Sequence, residues 1–219
     1  MGVLLMLMTI GGVVIAVILL IISFLTGSTW LRKFTLGGVA IWFGLYLVML
    51  VGVSLMSTEE TLALGESKEY CGFYLDCHMH TAVTDVRTAR SIGNQTAKGE
   101  FYIVKVKVFS DARRAILGLL TVDANVIDSA GNQYYRDEQA EDQLPPQPRF
   151  EKKISAGESF EKQIVFDLPT NVNDPRLDMR EGYGIDHAIE AVLIGDEDSI
   201  FHKRNYFKLS EQADTVSVK

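Results

Sequence analysis

The sequence predicts two transmembrane α-helices followed by an all-β antiparallel sandwich, on three observations. Val3 to Leu25 and Leu36 to Leu55 are long apolar runs without a charged residue. All 28 acidic residues, and 19 of the 21 Lys and Arg, lie after residue 58. From Glu69 onward, short alternating runs are separated by turn residues, with no long helical pattern between them. The expected organisation is a helical hairpin over 1–56, with helices at about 3–25 and 36–55. A tether over 57–68, a sandwich over 69–209 and a flexible tail over 210–219 complete it.

Each apolar run is close to the ~20 residues that cross a hydrocarbon core of about 30 Å. The first lacks a basic leader and an A-x-A-like site, so it reads as a retained helix rather than a signal peptide. Arg32 and Lys33, in the ten-residue connection, are the only charges in the first 58 residues. Basic residues in short loops stay cytoplasmic. A multi-pass cell-membrane protein with both termini extracytoplasmic is therefore expected. Gly12 and Ala16 form a small-xxx-small pair, and Gly37, Gly38, Gly44 and Gly52 dot the second helix. Small residues serve either packing within the hairpin or docking of another membrane protein.

The remaining chain carries a net charge near −9. An acidic domain repels nucleic acid, whose recognition needs a basic face. The expected partners are the lipid bilayer and a membrane or envelope protein, with no nucleic acid and no cofactor.

Tyr70 to His80 reads as a strand continued by Ala82–Val86, and Ser91–Gly99 as a turn-rich loop. Phe101 to Phe109 alternates, with Tyr102, Val104, Val106 and Val108 on one face. Ala112–Leu119 suits either a helical turn or a loop. Leu120, Val122, Ala124 and Val126 line the next strand, which turns at Asp128–Asn132 into a hairpin. Asp137 to Phe150 is an acidic, Pro-rich excursion that cannot join a central strand. Phe160, Ile164, Phe166 and Leu168 share a strand face, Thr170–Gly184 reads as loop, and Ala188–Ile194 and Ile200–Leu209 as the last strands. Roughly seven strands at short spacing argue for a sandwich or small barrel.

The runs Gly99–Val108, Val126–Tyr134 and Ile154–Pro169 together resemble bacterial extracytoplasmic immunoglobulin-like domains of unknown function. That family is itself similar to the secreted mycobacterial antigen sandwich. The resemblance covers about residues 78–209 and rests on order and spacing. It implies an immunoglobulin-like module for binding or scaffolding, with no catalytic residue to carry over.

Candidate chemistry is concentrated in Cys71-Gly-Phe-Tyr-Leu-Asp-Cys77-His78-Met79-His80. Two cysteines outside the cytoplasm invite a disulfide, yet six residues of unbroken strand span about 20 Å. A bridge needs a turn across Gly72–Asp76, because the Cα atoms must come within roughly 7 Å. The expectation is an intramolecular Cys71–Cys77 bridge. The alternatives are two unpaired buried cysteines, or a copper or zinc site using Cys71, Cys77, His78, Met79 and His80, which are soft or borderline ligands. The C-x5-C spacing differs from the copper pattern of cytochrome oxidase subunit II and from C-x-x-C-H haem attachment.

No G-x-S-x-G, H-E-x-x-H or P-loop is present, so a non-catalytic role is expected. His187 and His202 read as packed or solvated, and Asp196-Glu-Asp198 as a solvated acidic turn rather than a calcium site. Asn94-Gln-Thr96 is a glycosylation sequon in an exposed loop.

Overall fold

The computed structural model describes residues 2–71 and 77–209. By packing, the chain forms two units: Met1–Thr58 with Gly184–Arg204, and Glu59–Tyr183 with the residues from Asn205 onward.

In the first unit, α1 (Gly2–Thr26) and α2 (Thr29–Met56) form a hairpin. Both are long and apolar enough to cross a membrane. Gly27 takes a positive φ of 66°, and the Ser28 amide donates to the Ser23 carbonyl at 3.0 Å, a closure that satisfies the end of α1. The Ser28 hydroxyl then accepts from the Leu31 amide at 3.4 Å and caps α2. The ten-residue connection expected from sequence is thus reduced to Gly27-Ser28, and Arg32 and Lys33 sit in the opening turns of α2. An apolar run marks where charge is absent, and a helix continues past it. Trp42 Nε1 donates to Thr9 Oγ1 at 3.0 Å across the hairpin, and Ala16 is buried. A side chain at Gly12, Gly37, Gly38, Gly44 or Gly52 would meet nothing, so these glycines do not serve packing within the hairpin.

The second unit is a sandwich of two sheets. Strands β1 (Glu60–Leu62), β2 (Ser67–Tyr70), β3 (Met79–Ile92), β4 (Gln95–Ser110), β5 (Val122–Ile127), β6 (Gln133–Tyr135), β7 (Ser159–Leu168), β8 (Arg176–Glu181) and β9 (Asn205–Lys208) are joined by few helical residues. One sheet runs β1-β9-β8-β5-β6 and the other β2-β3-β4-β7. All pairs are antiparallel except β1 with β9. The core lies between the sheets, where Val83, Val104, Val106 and Phe166 meet Val126, Leu177, Met179 and Phe207. Removing this apolar surface from water is the main term that holds the sheets together.

Four sequence expectations are corrected. The presumed tether contains β1 and begins β2, and Lys68 is buried. Its ammonium donates to the carbonyls of Met179 at 2.9 Å and Asn205 at 3.4 Å, tying one sheet to the other. Thr170–Gly184 hides β8, an interior strand whose Leu177 and Met179 alternate between charged neighbours. Ala188–Ile194 forms no strand: α4 (Gly184–Glu190) occupies its start, and Gly184–Arg204 packs with the helices instead of the sandwich. The final strand shortens to Asn205–Lys208. The expected tail over 210–219 lies outside the described residues.

The Pro-rich excursion covers the outer edge of β7. It carries α3 (Glu138–Glu141), capped by Asp137, whose carboxylate accepts from the Ala140 amide at 3.0 Å. Gln147 exchanges two 2.7 Å hydrogen bonds with the backbone of Gln163, and Glu141 accepts from the Val165 amide at 3.1 Å. An edge satisfied in this way cannot template pairing with another chain.

Candidate functional site

The family-bearing motifs resolve into backbone devices. A Cβ at Gly99 would lie 2.0 Å from the Leu168 carbonyl oxygen, so only glycine lets β4 approach the end of β7 here. Asp167 accepts from the amides of Lys98 and Gly99 at 2.8 and 2.9 Å. In the β5–β6 turn, the Asp128 carboxylate accepts from the amides of Ala130 and Asn132, the Asn132 side chain and the Tyr134 hydroxyl, all within 3.0 Å. These bonds, led by that from the Asn132 side chain, hold its carboxyl below the usual range. Gly157 turns with φ 75° between Ser155 and Glu158. The carboxylates of Asp128 and Asp167 are thus taken up by hydrogen bonds within the domain.

In the Cys71–His80 cluster the two sulfurs are joined in a disulfide, with the Cα atoms 4.0 Å apart. The turn expected across Gly72–Asp76 lies outside the described residues. Glu69 places a carboxylate oxygen within 4.8 Å of both sulfurs. A bonded sulfur is not a thiolate, so in this state neither cysteine is a strong metal ligand.

Alternation along β3 separates the neighbours of Cys77. His80 and His78 turn toward Asp111, whose Oδ1 lies 2.7 Å from His78 Nδ1 and 3.4 Å from His80 Nε2. His80 also stacks on Phe109 at 5.0 Å. The hydrogen bond from His78 is the main influence that lowers the Asp111 carboxyl below its ordinary value. Met79 points the other way and is buried in the core. It therefore drops out of the candidate ligand set, because successive residues of a strand face opposite sides. Asp111 was not in that set. A lone Asp after Ser110 carries no sequence signal, and only the antiparallel pairing of β3 with β4 brings it opposite the histidines.

A second titratable cluster joins residues expected to be bland. His187 Nδ1 lies 3.1 Å from Glu190 Oε2 and 3.5 Å from Asp198 Oδ2, and Arg204 Nη2 lies 2.8 Å from Asp198 Oδ1. Burial pushes the carboxyls of Glu190 and Asp196 upward. His202 is apart from this cluster, its Nδ1 near the Lys203 carbonyl. The sequon residue Asn94 is exposed at the β3–β4 turn.

The model of the family described as Domain of unknown function (DUF4352) matches residues 76–189. No curated protein matches the chain. Among solved structures, the secreted protein MPT63 from Mycobacterium tuberculosis is 13% identical, with a TM-score of 0.44 over 71% of this chain and 99% of that one. The yjhA protein from Bacillus subtilis is 14% identical, with a TM-score of 0.43 over 68% and 98%. An uncharacterized beta-sandwich protein from Clostridium difficile 630 is 9% identical, with a TM-score of 0.39 over 70% and 96%.

Proposed function

From the premise that the chain belongs to the DUF4352 family, we propose that it is a membrane-anchored, extracytoplasmic immunoglobulin-like module. Its role is non-catalytic, binding or scaffolding a protein at the cell envelope. One observation carries this reading. The residues at the family-bearing positions (Gly99, Asp128, Asp167 and Gly157) are all engaged in backbone geometry, and two apolar helices run directly into the domain that contains them. Arg32 and Lys33 at the start of α2 favour a cytoplasmic turn, which sends both termini outside.

A reporter fused after Lys219, read in intact cells, tests the orientation. An external signal is expected, and a reporter active only in the cytoplasm would refute it. Purification of the full chain from native membranes, after crosslinking, tests the role. A stoichiometric envelope protein is expected, and recovery of the chain without a partner under several crosslinkers would count against it.

The alternative is envelope copper or zinc handling. It is supported by the convergence of His78 and His80 at Asp111, with Glu69 beside the sulfurs. It requires reduced Cys71 and Cys77, so the redox state of the protein in intact membranes separates the two readings.

A further inference from the structure

Gly184–Arg204 is folded inside out for a segment surrounded by water. Four of its ionisable side chains gather on one another, with Asp198 held between His187 and Arg204 and with Glu190 beside His187. Leu193 is buried, but four of its large apolar side chains turn outward: Ile185 is 71% exposed, Val192 47%, Ile200 48% and Phe201 65%. That is four exposed large hydrophobics in 21 residues. Among the described residues, the whole sandwich unit exposes only five: Leu64, Ile116, Leu120, Tyr135 and Tyr183. Phe201 also holds φ at 64°, a conformation that a bulky side chain rarely adopts.

The position of the segment within its unit says what covers these side chains. The Tyr46 hydroxyl donates to the Val192 carbonyl at 2.7 Å, the Ser54 and Ser199 hydroxyls lie 3.3 Å apart, and the Lys203 amide donates to Ser57 Oγ at 2.8 Å. Contacts thus climb α2 toward its C-terminal end as the segment advances. Ile194 lies against Gly2, the first residue of α1. The segment therefore sits at the end of the hairpin opposite the Gly27-Ser28 turn, where apolar helix surface gives way to polar chain. Side chains in a bilayer follow the pattern seen here, with ionisable groups paired inward and apolar groups facing lipid.

We infer that Gly184–Arg204 is an interfacial membrane segment, in which Ile185, Val192, Ile200 and Phe201 insert into the headgroup–acyl boundary of the outer leaflet. The inference rests on the membrane reading of α1 and α2. It makes the bilayer a ligand of an excursion within the sandwich sequence, so the chain returns to the membrane between β8 and β9.

The test uses the full chain in phosphatidylcholine–phosphatidylglycerol vesicles, with an environment-sensitive fluorophore on single engineered cysteines. Ile185→Cys and Phe201→Cys report the segment, Tyr135→Cys reports the sandwich surface and Val14→Cys reports α1. The native pair is bonded and does not label. Fluorophores at 185 and 201 are expected to lose most of their emission to lipids spin-labelled near the headgroup and to resist aqueous iodide. Tyr135→Cys should show the reverse. Lipid quenching at 14 but not at 185 and 201 would overturn the inference alone. Shielding from iodide without lipid quenching would place a protein there and overturn it too. Absence of quenching at 14 by lipids spin-labelled deep in the acyl chain would sink the membrane reading itself, and the inference with it.

Discussion

The sandwich and the Gly184–Arg204 segment hold carboxylates in surroundings with opposite electrostatic results. In the sandwich, Asp128 and Asp111 receive hydrogen bonds from side chains, and their carboxyls are held below the ordinary value. In the segment, Glu190 and Asp196 lose water, and burial outweighs their partners, so their carboxyls rise. Burial alone favours the neutral acid, while donors arranged around the oxygens favour the anion. The sandwich is built on an apolar core with polar turns outside it. The segment is built on a polar knot with apolar side chains outside.

The largest expected effect tests whether the sandwich depends on its core. Phe166 is fully buried, and Phe166→Ala should cost about 3–5 kcal/mol in denaturant unfolding. Hydrogen exchange in α1 and α2 should stay unchanged. Loss of protection in both places would show that the two units fold as one.

Next comes the buried polar contact that most resembles the segment's chemistry. Glu141 accepts from Val165 and forms a fork with Arg136 at 2.8 and 2.5 Å. Glu141→Ala leaves both donors without their acceptor and should destabilise by about 2–3 kcal/mol. It also uncovers the β7 edge, so light scattering should reveal self-association. An unchanged melting curve would argue that the excursion covers nothing of consequence.

The disulfide closes a short loop, for which chain entropy gives about 2 kcal/mol. The double variant Cys71→Ser, Cys77→Ser should fold with a lowered midpoint, and non-reducing peptide mass analysis of membranes should find the linkage. Two free thiols with a stoichiometric copper or zinc ion, lost on His78→Ala and His80→Ala, would favour the metal reading instead.

The smallest effect is the most direct measure of the contrast. Asp128 is depressed when folded, so the stability it contributes is complete above about pH 5 and falls away as pH drops through 3.9 and below. Glu190 and Asp196 are raised, so the folded segment binds more protons than the open one. Its stability therefore declines as pH rises above about 4. Hydrogen exchange between pH 4 and 7 should show protection at 184–199 improving on acidification while that at 128–134 weakens toward pH 4. Glu190→Gln should flatten the first trend and Asp128→Asn the second. Parallel trends in both regions would remove the distinction.

Much of this architecture was legible in local pattern. Uncharged runs identify α1 and α2, because length and the absence of charge are properties of the chain itself. Period-2 alternation places Val104, Val106 and Val108 on one buried face, and Asp128–Asn132 announces its own turn through side-chain bonds to nearby amides. The disulfide was expected on chemical grounds, with two cysteines and no third. Non-local pairing decided the rest. β8 was obscured because Arg176, Asp178 and Arg180 make it look like loop, and it is a strand only because β5 and β9 supply partners on both sides. Asp111 meets His78 and His80 through the register of β3 on β4. Ala188–Ile194 is apolar in the manner of a strand, yet its backbone is claimed by α4 and by contacts with α1 and α2. Hydrophobicity in sequence states that a residue leaves water; which surface receives it is a property of the assembled fold.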